Sequence, residues 1–323
     1  MTTVTLARQA MATRFELVLH GPDEAALRAA GEEALDEVAR LENELSYFRA
    51  TSQVYRLNQE AAKRPVRVTP GLFRLLQHAR QLTKETGGTF DITVAPIMRC
   101  WGFYQRGGRI PEPEALAEAR ACVGMSFVEL NEADSTVRFT REGVQLDLGS
   151  IGKGYAVERA GELLREAGVS SALLHGGTST VLAIGTPPDK DGWTIALENP
   201  ANATASQEHT GVLLPPLAKV KLRDESLSVS AVWGKSFTAA ERSYGHVIDP
   251  RTGQPTQGAL LAAIALSSAT ESDALSTMLL TLGLEGFEQV LRLRQGMRAL
   301  VACSGTDGRP LGIAASGFDL PPR

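Results

Sequence analysis

Short apolar segments separated by turns, rather than by helices, constrain the fold of this chain most strongly. Ala172–Leu174 and Thr180–Ile184 are typical of strands, and a hairpin turn explains the Gly176-Gly177 pair between them. The same pair would also let the backbone approach a planar ligand closely. Strand-like segments continue as far as Ala259–Leu266 without a regular alternation of strand and helix. The sequence therefore predicts an α+β fold with mixed, largely antiparallel sheets and packed helices.

Three segments have the apolar spacing of amphipathic helices. The first follows the turn at Gly21–Asp23. The second starts at Thr69 and ends at Gly87–Gly88, a glycine pair that favours helix termination. The third covers Ala269–Leu280. The residues that we expect to be buried along the first helix are Leu27, Ala30, Ala34, Val38, Leu41 and Leu45.

Other segments are typical of strands or loops. We expect strands at Met11–Leu19, Val144–Leu148 and Tyr244–Ile248, together with a hairpin over Phe127–Phe139. Residues 199–216 are polar and rich in proline, which predicts a surface loop.

Composition and charge limit the classes of function. The chain has 323 residues, of which 43% are hydrophobic and 22% charged, as in an ordinary globular protein with a buried core. We expect one domain over 1–323, or two closely integrated subdomains. A net charge of −4 argues against a general binder of nucleic acid or of anionic membranes. Cys100, Cys122 and Cys303 are far apart and lack metal-ligand spacing, so we expect free thiols.

The sequence also gives an expectation for location. No apolar run reaches the length of a membrane-spanning helix, and no signal peptide precedes the first strand-like segment. We therefore expect a cytoplasmic protein without a transmembrane segment. If a leader has been removed, a periplasmic or membrane-anchored location is expected instead.

The third helix carries a candidate metal site. Asp273 and Thr277 are four residues apart, so their oxygens project from one helix face, one turn apart. A carboxylate and a hydroxyl are hard oxygen ligands, which favour Mg²⁺ over Zn²⁺ or copper. A solvated helix face or a cap would explain the same pair.

A glycine-rich turn, Gly149–Gly154, joins the strand-like Val144–Leu148 to a helix. Backbone N–H groups and a helix N-terminus at such a turn favour anion binding, and Lys153 could neutralise a phosphate. Asp147, beside this site, needs a polar or cationic partner. A tight turn that requires glycine conformations is the alternative interpretation.

Two further segments combine polar and aromatic residues. GHVIDPRTG places His246 and Ile248 on one face of the expected strand, where His246 is either a general base or a structural residue. TGGTFDITVAPIMRCWGF presents Phe90, Asp91 and Trp101, which fit either a ring-binding pocket or a hydrophobic core.

These motifs, in this order, are similar to those of the ApbE-like family, the FAD:protein FMN transferases, formerly called thiamine-biosynthesis lipoproteins. The resemblance extends from Met11 to about Gly283. The segments that carry it are MATRF, LENELSYFRATSQVYRLN, TGGTFDITVAPI, DLGSIGKGYAVERA, HGG, GHVIDPRTG and ATESDALST.

The resemblance implies an ApbE-like, T-fold-related α+β fold around a flavin-nucleotide cleft, with Mg²⁺ on the pyrophosphate of bound FAD. It also implies an activity. Members of the family cleave FAD, attach FMN through a phosphoester bond to a Ser or Thr hydroxyl of an acceptor protein, and release AMP. Such phosphoryl transfer needs charge neutralisation and alignment more than covalent catalysis.

The resemblance also assigns roles to residues. Asp273, Thr277 and the backbone carbonyl of Gly152 correspond to the metal ligands, with Asp273 counted as catalytic as well. His246 corresponds to the group that removes the proton of the acceptor hydroxyl. The residues implied to contact the flavin nucleotide are Met11, Tyr47, Asp91, Asp147, Gly149, Lys153, Gly176, Gly177 and His246.

The chain departs from the family pattern at two places in the site. Thr178 follows the glycine pair where an acid is usual, and Ala231 replaces a glycine before the histidine segment. These changes leave two alternatives open: a catalytically silent flavin-binding protein and a Mg²⁺-dependent FAD pyrophosphatase. The identity of the acceptor protein has no readable signal.

Overall fold

A computed structural model describes residues 1–105, 107–202, 214–234, 236–239, 242–304 and 312–321. Its strands are β1 Thr2–Ala10, β2 Thr13–Gly21, β3 Val66–Arg67, β4 Val128–Asn131, β5 Thr136–Phe139, β6 Ala172–Gly176, β7 Thr180–Ile184, β8 Trp193–Leu197, β9 Ala218–Leu222, β10 Ser226–Ala231, β11 Ser236–Ala239, β12 Arg242–Gly245, β13 Ile248–Asp249, β14 Gln254–Pro255, β15 Ala259–Leu266, β16 Arg298–Cys303 and β17 Gly312–Ser316.

The helices among the described residues complete the element order. They are α1 Glu24–Leu45, α2 Gln53–Glu60, α3 Pro70–Glu85, α4 Ala95–Cys100, α5 Pro113–Arg120, α6 Gly152–Glu166, α7 Ala269–Leu282 and α8 Phe287–Leu291, with short 3₁₀ turns at Met125–Phe127 and Gly283–Gly286.

One large antiparallel sheet organises the molecule. Its eight strands run in the order β1-β2-β6-β7-β10-β15-β16-β17, and each neighbouring pair is antiparallel. The sheet thus joins strands from both ends of the described chain. The expectation of one domain, or of two closely integrated subdomains, stays a prediction. The α+β class, with mostly antiparallel sheets, is confirmed.

The two faces of this sheet are covered differently. Helices α1, α6 and α7 pack on one face, and the buried stripe predicted for α1 lies against β1, β2 and α6. The β8–β9 hairpin covers the other face, where Trp193 and Leu222 are buried against Leu173 and Leu227 of the sheet. The alternation of side chains along each strand therefore divides the core into two layers.

Polar side chains cap the N-termini of three helices. The side chains of Asp23, Thr69 and Ser268 accept hydrogen bonds from the first turns of α1, α3 and α7, respectively. The apolar stripe expected along Ala269–Leu280 is buried, and the hairpin expected over Phe127–Phe139 is formed by β4 and β5. Helix α2, by contrast, was not expected from the sequence.

The strand expected at Val144–Leu148 is wrong, and the structure shows why. Val144, Leu146 and Leu148 are buried, but the segment pairs with no named strand among the described residues and has an isolated bridge from Gln145 to Val94. The side-chain amide of Asn58 takes the place of a neighbouring strand, since it donates to the carbonyl oxygen of Leu146 at 2.9 Å and accepts from its N–H at 2.7 Å. The alternating pattern reflects burial, not sheet pairing.

Three other expectations change. The strand predicted from Met11 begins at Thr13, because Met11 and Ala12 form the turn of the β1–β2 hairpin. Of the loop predicted at 199–216, residues 200–202 are helical, and 203–213 lie outside the described residues. In the described part of the chain, no helix combines the length and the apolar character that crossing a membrane requires.

Candidate active site

The ends of four central strands meet the first turn of α6 at one edge of the large sheet. Gly176, at the end of β6, pairs with Phe15 of β2 and with Thr180 of β7. A Cβ atom on Gly176 would lie 3.1 Å from Val157 of α6. Strand β10 extends past Thr180 at the same end, which places Ser230 and Ala231 there. The β6–β7 turn, the β1–β2 turn, α6 and the end of β10 therefore surround one region.

Helices α6 and α7 approach each other closely in this region. A Cβ atom on Gly154 would lie 2.2 Å from the carbonyl oxygen of Ala269 and 2.6 Å from Cβ of Asp273. The backbone N–H of Gly154 donates a 2.9 Å hydrogen bond to Oδ2 of Asp273. Glycine is required because any side chain would push the two helices apart.

The Asp273 carboxyl is buried, which raises its pKa because burial disfavours the charged form. The positive charge of Lys153 and the hydrogen bond from Gly154 act in the opposite direction. Two residues of the glycine-rich turn thus stabilise the carboxylate. The role predicted for Lys153, neutralising a bound phosphate, stays a prediction.

Glu158 fixes the N-terminus of α7. Its Oε2 accepts hydrogen bonds from Oγ of Ser268 and from the backbone N–H of Thr270, both at 2.7 Å. Glu158 lies one turn after Gly154 on α6, so the same helix holds α7 at two points. Sequence reasoning missed this residue, although it lies within the glycine-turn motif.

The oxygens available near this contact suit a hard cation. Thr277 lies one turn after Asp273 and is partly exposed, and Gly152 forms the first residue of α6. A carboxylate, a hydroxyl and a backbone carbonyl are the oxygen donors that Mg²⁺ accepts. Among the described residues, no three His, Cys, Asp or Glu side chains are arranged to hold a metal. A Mg²⁺ ion here would therefore complete its shell with water and substrate phosphate, which is its usual mode of binding.

The glycine-rich turn is less open to an anion than its sequence predicts. Gly149 N–H donates to Oδ1 of Asp147, and the N–H groups of Ile151 and Gly152 both donate to the carbonyl oxygen of Leu148. Gly154 N–H is used by Asp273, as described above. Since these donors are occupied within the protein, the Lys153 side chain is the main feature of this turn that could bind a phosphate.

Asp147 has the polar partner that the sequence led us to expect. The hydroxyl of Tyr104 donates to its Oδ2 at 2.6 Å, and Gly149 N–H donates to its Oδ1 at 2.7 Å. Burial, and next the charge of Asp147, raise the pKa of Tyr104, which stays a neutral donor. Tyr104 follows the WGF segment, but sequence reasoning did not select it.

Tyr47 belongs to an aromatic cluster next to Asp147. Its ring stacks on Tyr104 with centroids 4.4 Å apart, and Phe48 packs edge-on against both rings. The Arg99 guanidinium donates to the Tyr47 hydroxyl at 2.6 Å and to the side chain of Gln145. Phe48 is 63% exposed, so an aromatic surface faces solvent beside the glycine-rich turn.

Asp91 has a structural role in the described chain. Its Oδ1 accepts from the N–H and hydroxyl of Thr93, at 2.8 and 2.6 Å, and its Oδ2 accepts from the N–H of Met125 at 3.1 Å. Burial raises the pKa of Asp91, and these hydrogen bonds oppose the shift. The carboxylate therefore links the loop at Thr93 to the 3₁₀ turn at Met125 through hydrogen bonds. A contact with the nucleotide, as the resemblance implies, would have to come from the backbone around it.

His246 lies in a bend, not in a strand as predicted. Strand β12 ends at Gly245, and the chain then turns so that β13 pairs with β14. Gly245 packs closely on Val232, because a Cβ atom added to Gly245 would lie 3.1 Å from the Val232 carbonyl oxygen. Tyr244, two residues before His246, packs on the ring of Trp101. Ile248, two residues after His246, is buried in the same cluster as Trp101. The backbone carrying His246 is thus held from both sides, next to the end of β10.

The aromatic residues of the WGF segment belong to the core. Trp101 is 2% exposed, and its Nε1 donates to the carbonyl oxygen of Gly253 at 2.8 Å. It also contacts Phe237 of the β11–β12 hairpin. The core interpretation of Trp101 is therefore confirmed, and its function is to support the turn that follows His246.

Two turns at the site edge have left-handed backbone conformations. Met11 and Ala12 have φ values of 50° and 58°, a conformation that hairpin turns usually give to Asn or Gly. Gly177 has a φ of 67°, and a Cβ there would lie 2.2 Å from Oγ1 of Thr13. Backbone strain of this kind is concentrated at functional sites. The contact of Met11 with the flavin nucleotide stays a prediction.

The two departures from the family pattern are on the rim of the same region. Thr178 is exposed at the tip of the β6–β7 turn, and Ala231 is half-buried at the end of β10, where it pairs with Leu261. Neither interrupts the contact between α6 and α7.

A surface depression lies at the opposite end of the sheet. It has a volume of about 830 Å³ and is lined by Ser171, Thr186, Lys190 and neighbouring residues. None of the predicted site residues lines it. This depression therefore lies apart from the candidate site.

Curated relatives cover most of the chain. An FAD:protein FMN transferase of Klebsiella pneumoniae (strain 342) is 28% identical over 272 residues, which are 84% of this chain and 81% of the relative. The FAD:protein FMN transferase of Treponema pallidum (strain Nichols) is 29% identical over 290 residues, 85% of this chain and 77% of the relative.

Solved structures share the fold. The ApbE protein of Thermotoga maritima MSB8 superposes with a TM-score of 0.84 at 24% identity, covering 98% of this chain and 97% of that one. The apo form of Pseudomonas stutzeri flavinyl transferase ApbE gives a TM-score of 0.82 at 26% identity, covering 97% and 94%. A sequence model of the ApbE family matches residues 11–301, and the chain therefore belongs to the ApbE family.

Proposed function

We propose that this chain is a Mg²⁺-dependent FAD:protein FMN transferase. It cleaves the pyrophosphate of FAD, attaches FMN through a phosphoester bond to a Ser or Thr hydroxyl of an acceptor protein, and releases AMP. Membership of the ApbE family and the shared name of the curated relatives support the transferase activity. The acceptor and the metal are the parts of the proposal that these similarities leave open.

The observation that carries the proposal is the Gly154–Asp273 contact. A carboxylate that is buried, held at 2.9 Å by a helix N-terminus and next to a lysine is placed to act on a charged ligand. Asp273, Thr277 and the Gly152 carbonyl would hold Mg²⁺. When bound, Mg²⁺ supplies neutralisation of the negative charge on the pyrophosphate.

The other residues would bind and orient FAD. Lys153 adds positive charge at the phosphates, and the strained turn at Met11 and the Gly176-Gly177 backbone form the neighbouring wall. The stacked rings of Tyr47 and Tyr104 offer an aromatic surface for a flavin or adenine ring. Asp147, fixed by Tyr104 and Gly149, contributes hydrogen-bond acceptors at the edge of that surface.

In the chemical step, the oxygen of the acceptor hydroxyl forms a bond to the FMN phosphorus. The bond from that phosphorus to the bridging oxygen breaks, and the electron pair leaves with AMP. His246 takes the proton of the attacking hydroxyl. Since the attack needs alignment more than covalent participation of the protein, the fixed backbone on both sides of His246 supports this role.

The test is incubation with FAD, Mg²⁺ and a candidate acceptor flavoprotein, followed by mass spectrometry of the acceptor and chromatography of free nucleotides. We expect the acceptor to gain the mass of FMN while an equal amount of AMP appears. An acceptor whose target Ser or Thr is replaced by Ala is the matched control and should gain no mass.

The alternatives give different products. Equal amounts of FMN and AMP formed without any acceptor would replace the proposal with FAD pyrophosphatase activity. FAD that binds and stays intact through prolonged incubation with Mg²⁺ and several acceptors would support a silent flavin-binding protein, the function that the exposed Thr178 leaves open.

A further inference from the structure

We propose that Ser230 is a positioning residue for the Thr277 hydroxyl, and that a directed chain of hydroxyl groups holds this oxygen ready to accept a metal ion. The inference rests on the proposed function, in which Thr277 is a Mg²⁺ ligand. It assigns a role to a β10 residue that lies outside the proposed ligand set.

Hydroxyl groups fill the contact between β10 and α7. Ser226 and Ser228 contact Ser272 at 3.0 and 2.9 Å, inside the fully buried part of the interface. One step further along β10, Ser230 contacts Ser276 at 2.8 Å and Thr277 at 3.2 Å. Alternate residues of the strand thus meet successive turns of the helix, and of these three serines it is Ser230 that contacts a proposed metal ligand.

The direction of each hydrogen bond follows from counting hydrogens. Ser276 donates to the backbone carbonyl oxygen of Asp273 at 2.9 Å, because a carbonyl can only accept. Because this 2.9 Å contact is shorter than the 3.4 Å contact of Thr277 with the same carbonyl, we assign the single hydrogen of Ser276 to it and make Ser230 the donor in its contact with Ser276. The hydrogen of Ser230 is then used as well, so we assign Thr277 as the donor in its contact with Ser230.

The chain of donors therefore runs from Thr277 through Ser230 and Ser276 to the carbonyl oxygen of Asp273. Thr277 can share its hydrogen with that same carbonyl at 3.4 Å. In both arrangements a protein oxygen accepts the Thr277 hydrogen, and both lone pairs of its Oγ1 remain. A metal ligand needs a lone pair and is repelled by a hydrogen, so this order prepares Thr277 for a cation.

The chain also connects the two helix-borne ligands. It ends on the backbone of Asp273, whose carboxylate is held separately by Gly154. Ser276 is fully buried, which protects the middle of the chain from exchange with water. Loss of the Ser230 hydroxyl would leave Thr277 free to rotate and to direct its hydrogen at the metal position.

The test measures binding of Mn²⁺, a paramagnetic substitute for Mg²⁺, from the electron paramagnetic resonance signal of the free ion. We expect Ser230→Ala to weaken Mn²⁺ binding about five- to tenfold, the range of one neutral hydrogen bond. Ser230→Thr, which keeps the hydroxyl on a strand-compatible side chain, should restore affinity to within about twofold. Ser228→Ala is the matched control, since it removes a hydroxyl from the same face of β10. The residue of α7 that Ser228 contacts is Ser272, which is not a proposed metal ligand.

A double-mutant comparison separates positioning from general stability. Adding Ser230→Ala to Thr277→Ala should weaken Mn²⁺ binding no further, since the oxygen that Ser230 orients is already absent. Equal losses of affinity in Ser230→Ala and Ser228→Ala would overturn the inference while leaving the metal site in place. Unchanged Mn²⁺ affinity in Thr277→Ala would overturn both the inference and the proposed ligand set.

Discussion

Gly154 and Asp273 lie 119 positions apart in the sequence and are joined by a 2.9 Å hydrogen bond from a backbone N–H to a carboxylate oxygen. The contact exists because Gly154 lacks a side chain, which lets α6 approach α7 at Ala269. It places the N-terminal end of one helix against a buried acid of another. The predicted metal site and the predicted glycine-rich turn are therefore parts of one structure.

Gly154→Ala should disrupt this contact. The new methyl group would lie 2.2 Å from the Ala269 carbonyl oxygen, a backbone atom that cannot move without shifting α7. We expect a loss of about 2 kcal/mol or more in the free energy of unfolding and a severe loss of AMP release. Denaturant unfolding and nucleotide chromatography measure the two effects.

The steric control for that variant is Gly152→Ala, compared in unfolding alone. A Cβ on Gly152 would lie 3.7 Å from its nearest neighbour, which is an ordinary contact. Alanine is favoured over glycine within a helix, so stability should be unchanged or higher by up to about 1 kcal/mol. Similar destabilisation by both variants would contradict the close-approach explanation.

Asp273→Asn should separate charge from shape. The amide oxygen can still accept the Gly154 hydrogen bond, while the negative charge, which burial disfavours, is removed. We expect the melting temperature to be equal or higher, and AMP release from FAD to fall at least about 100-fold because a cation ligand is lost. Calorimetry and nucleotide chromatography provide the two readouts, and retention of activity would refute the metal assignment.

Tyr104→Phe should weaken FAD binding without unfolding the site. The change removes the 2.6 Å hydrogen bond to Asp147 and leaves the ring that stacks on Tyr47. One net hydrogen bond predicts a two- to tenfold rise in the FAD dissociation constant, measured by flavin fluorescence in the absence of metal.

Tyr155→Phe is the comparison for this variant. Tyr155 is half-buried on α6, and its hydroxyl has no hydrogen bond among the described residues. Its loss should leave FAD affinity unchanged. If both variants weaken binding equally, the hydrogen bond to Asp147 is not the cause.

His246→Gln should slow transfer more than it weakens substrate binding. Glutamine keeps a polar side chain of similar size but cannot take up a proton at neutral pH. We expect kcat to fall about 100- to 10,000-fold, with a much smaller change in the dissociation constant of FAD. His20→Gln is the control and should retain wild-type turnover, because His20 lies at the end of β2 that is remote from the candidate site.

Stability should depend on pH through Glu271. This residue joins α7 to α3, because it accepts hydrogen bonds from His78 at 3.1 Å and from Arg294 at 2.8 Å. Burial would raise the pKa of Glu271, but these partners outweigh it and lower the value to about 2. Because the folded pKa lies below the unfolded one, this stabilisation is present above about pH 4.5 and lost as the pH falls towards 2.

Urea unfolding at pH 6 and pH 3 tests this dependence. Between pH 6 and pH 3 the free energy of unfolding should fall by about 1–2 kcal/mol more in the wild type than in Glu271→Gln. This figure allows for solvent screening, because Glu271 and Arg294 are both partly exposed. Glu288→Gln, an exposed carboxylate on α8, should follow the wild type. Parallel pH profiles for all three proteins would contradict the role of Glu271.

The sequence predicted well where structure depends on neighbouring residues. Turn residues and apolar spacing located α1 and α3, and apolar spacing alone located α7, because those signals act within a few positions. The prediction at Val144–Leu148 was wrong because alternating burial does not reveal what accepts the backbone hydrogen bonds. Asn58, remote in sequence, satisfies them in place of a strand.

The candidate site shows the same division between local and distant information. Asp273 and Thr277 share a helix face through helical geometry alone, and that part was readable. The contacts of Tyr244 and Ile248 with Trp101 could not be predicted from the sequence. The bend that replaces the expected strand could not be predicted either, since Gly245 and Val232 meet only in the folded chain.

The α+β class, the main helices, the family and the pairing of a carboxylate with a hydroxyl on α7 were all predictable from the amino-acid sequence. The groups that those two oxygens face became known only from the folded structure. Gly154 and Lys153 stabilise Asp273, Ser230 orients Thr277, and Tyr104 holds Asp147. The physical reason is range: helix formation depends on residues a few positions apart, whereas hydrogen-bond direction and the pKa of a buried acid depend on groups that only folding brings together.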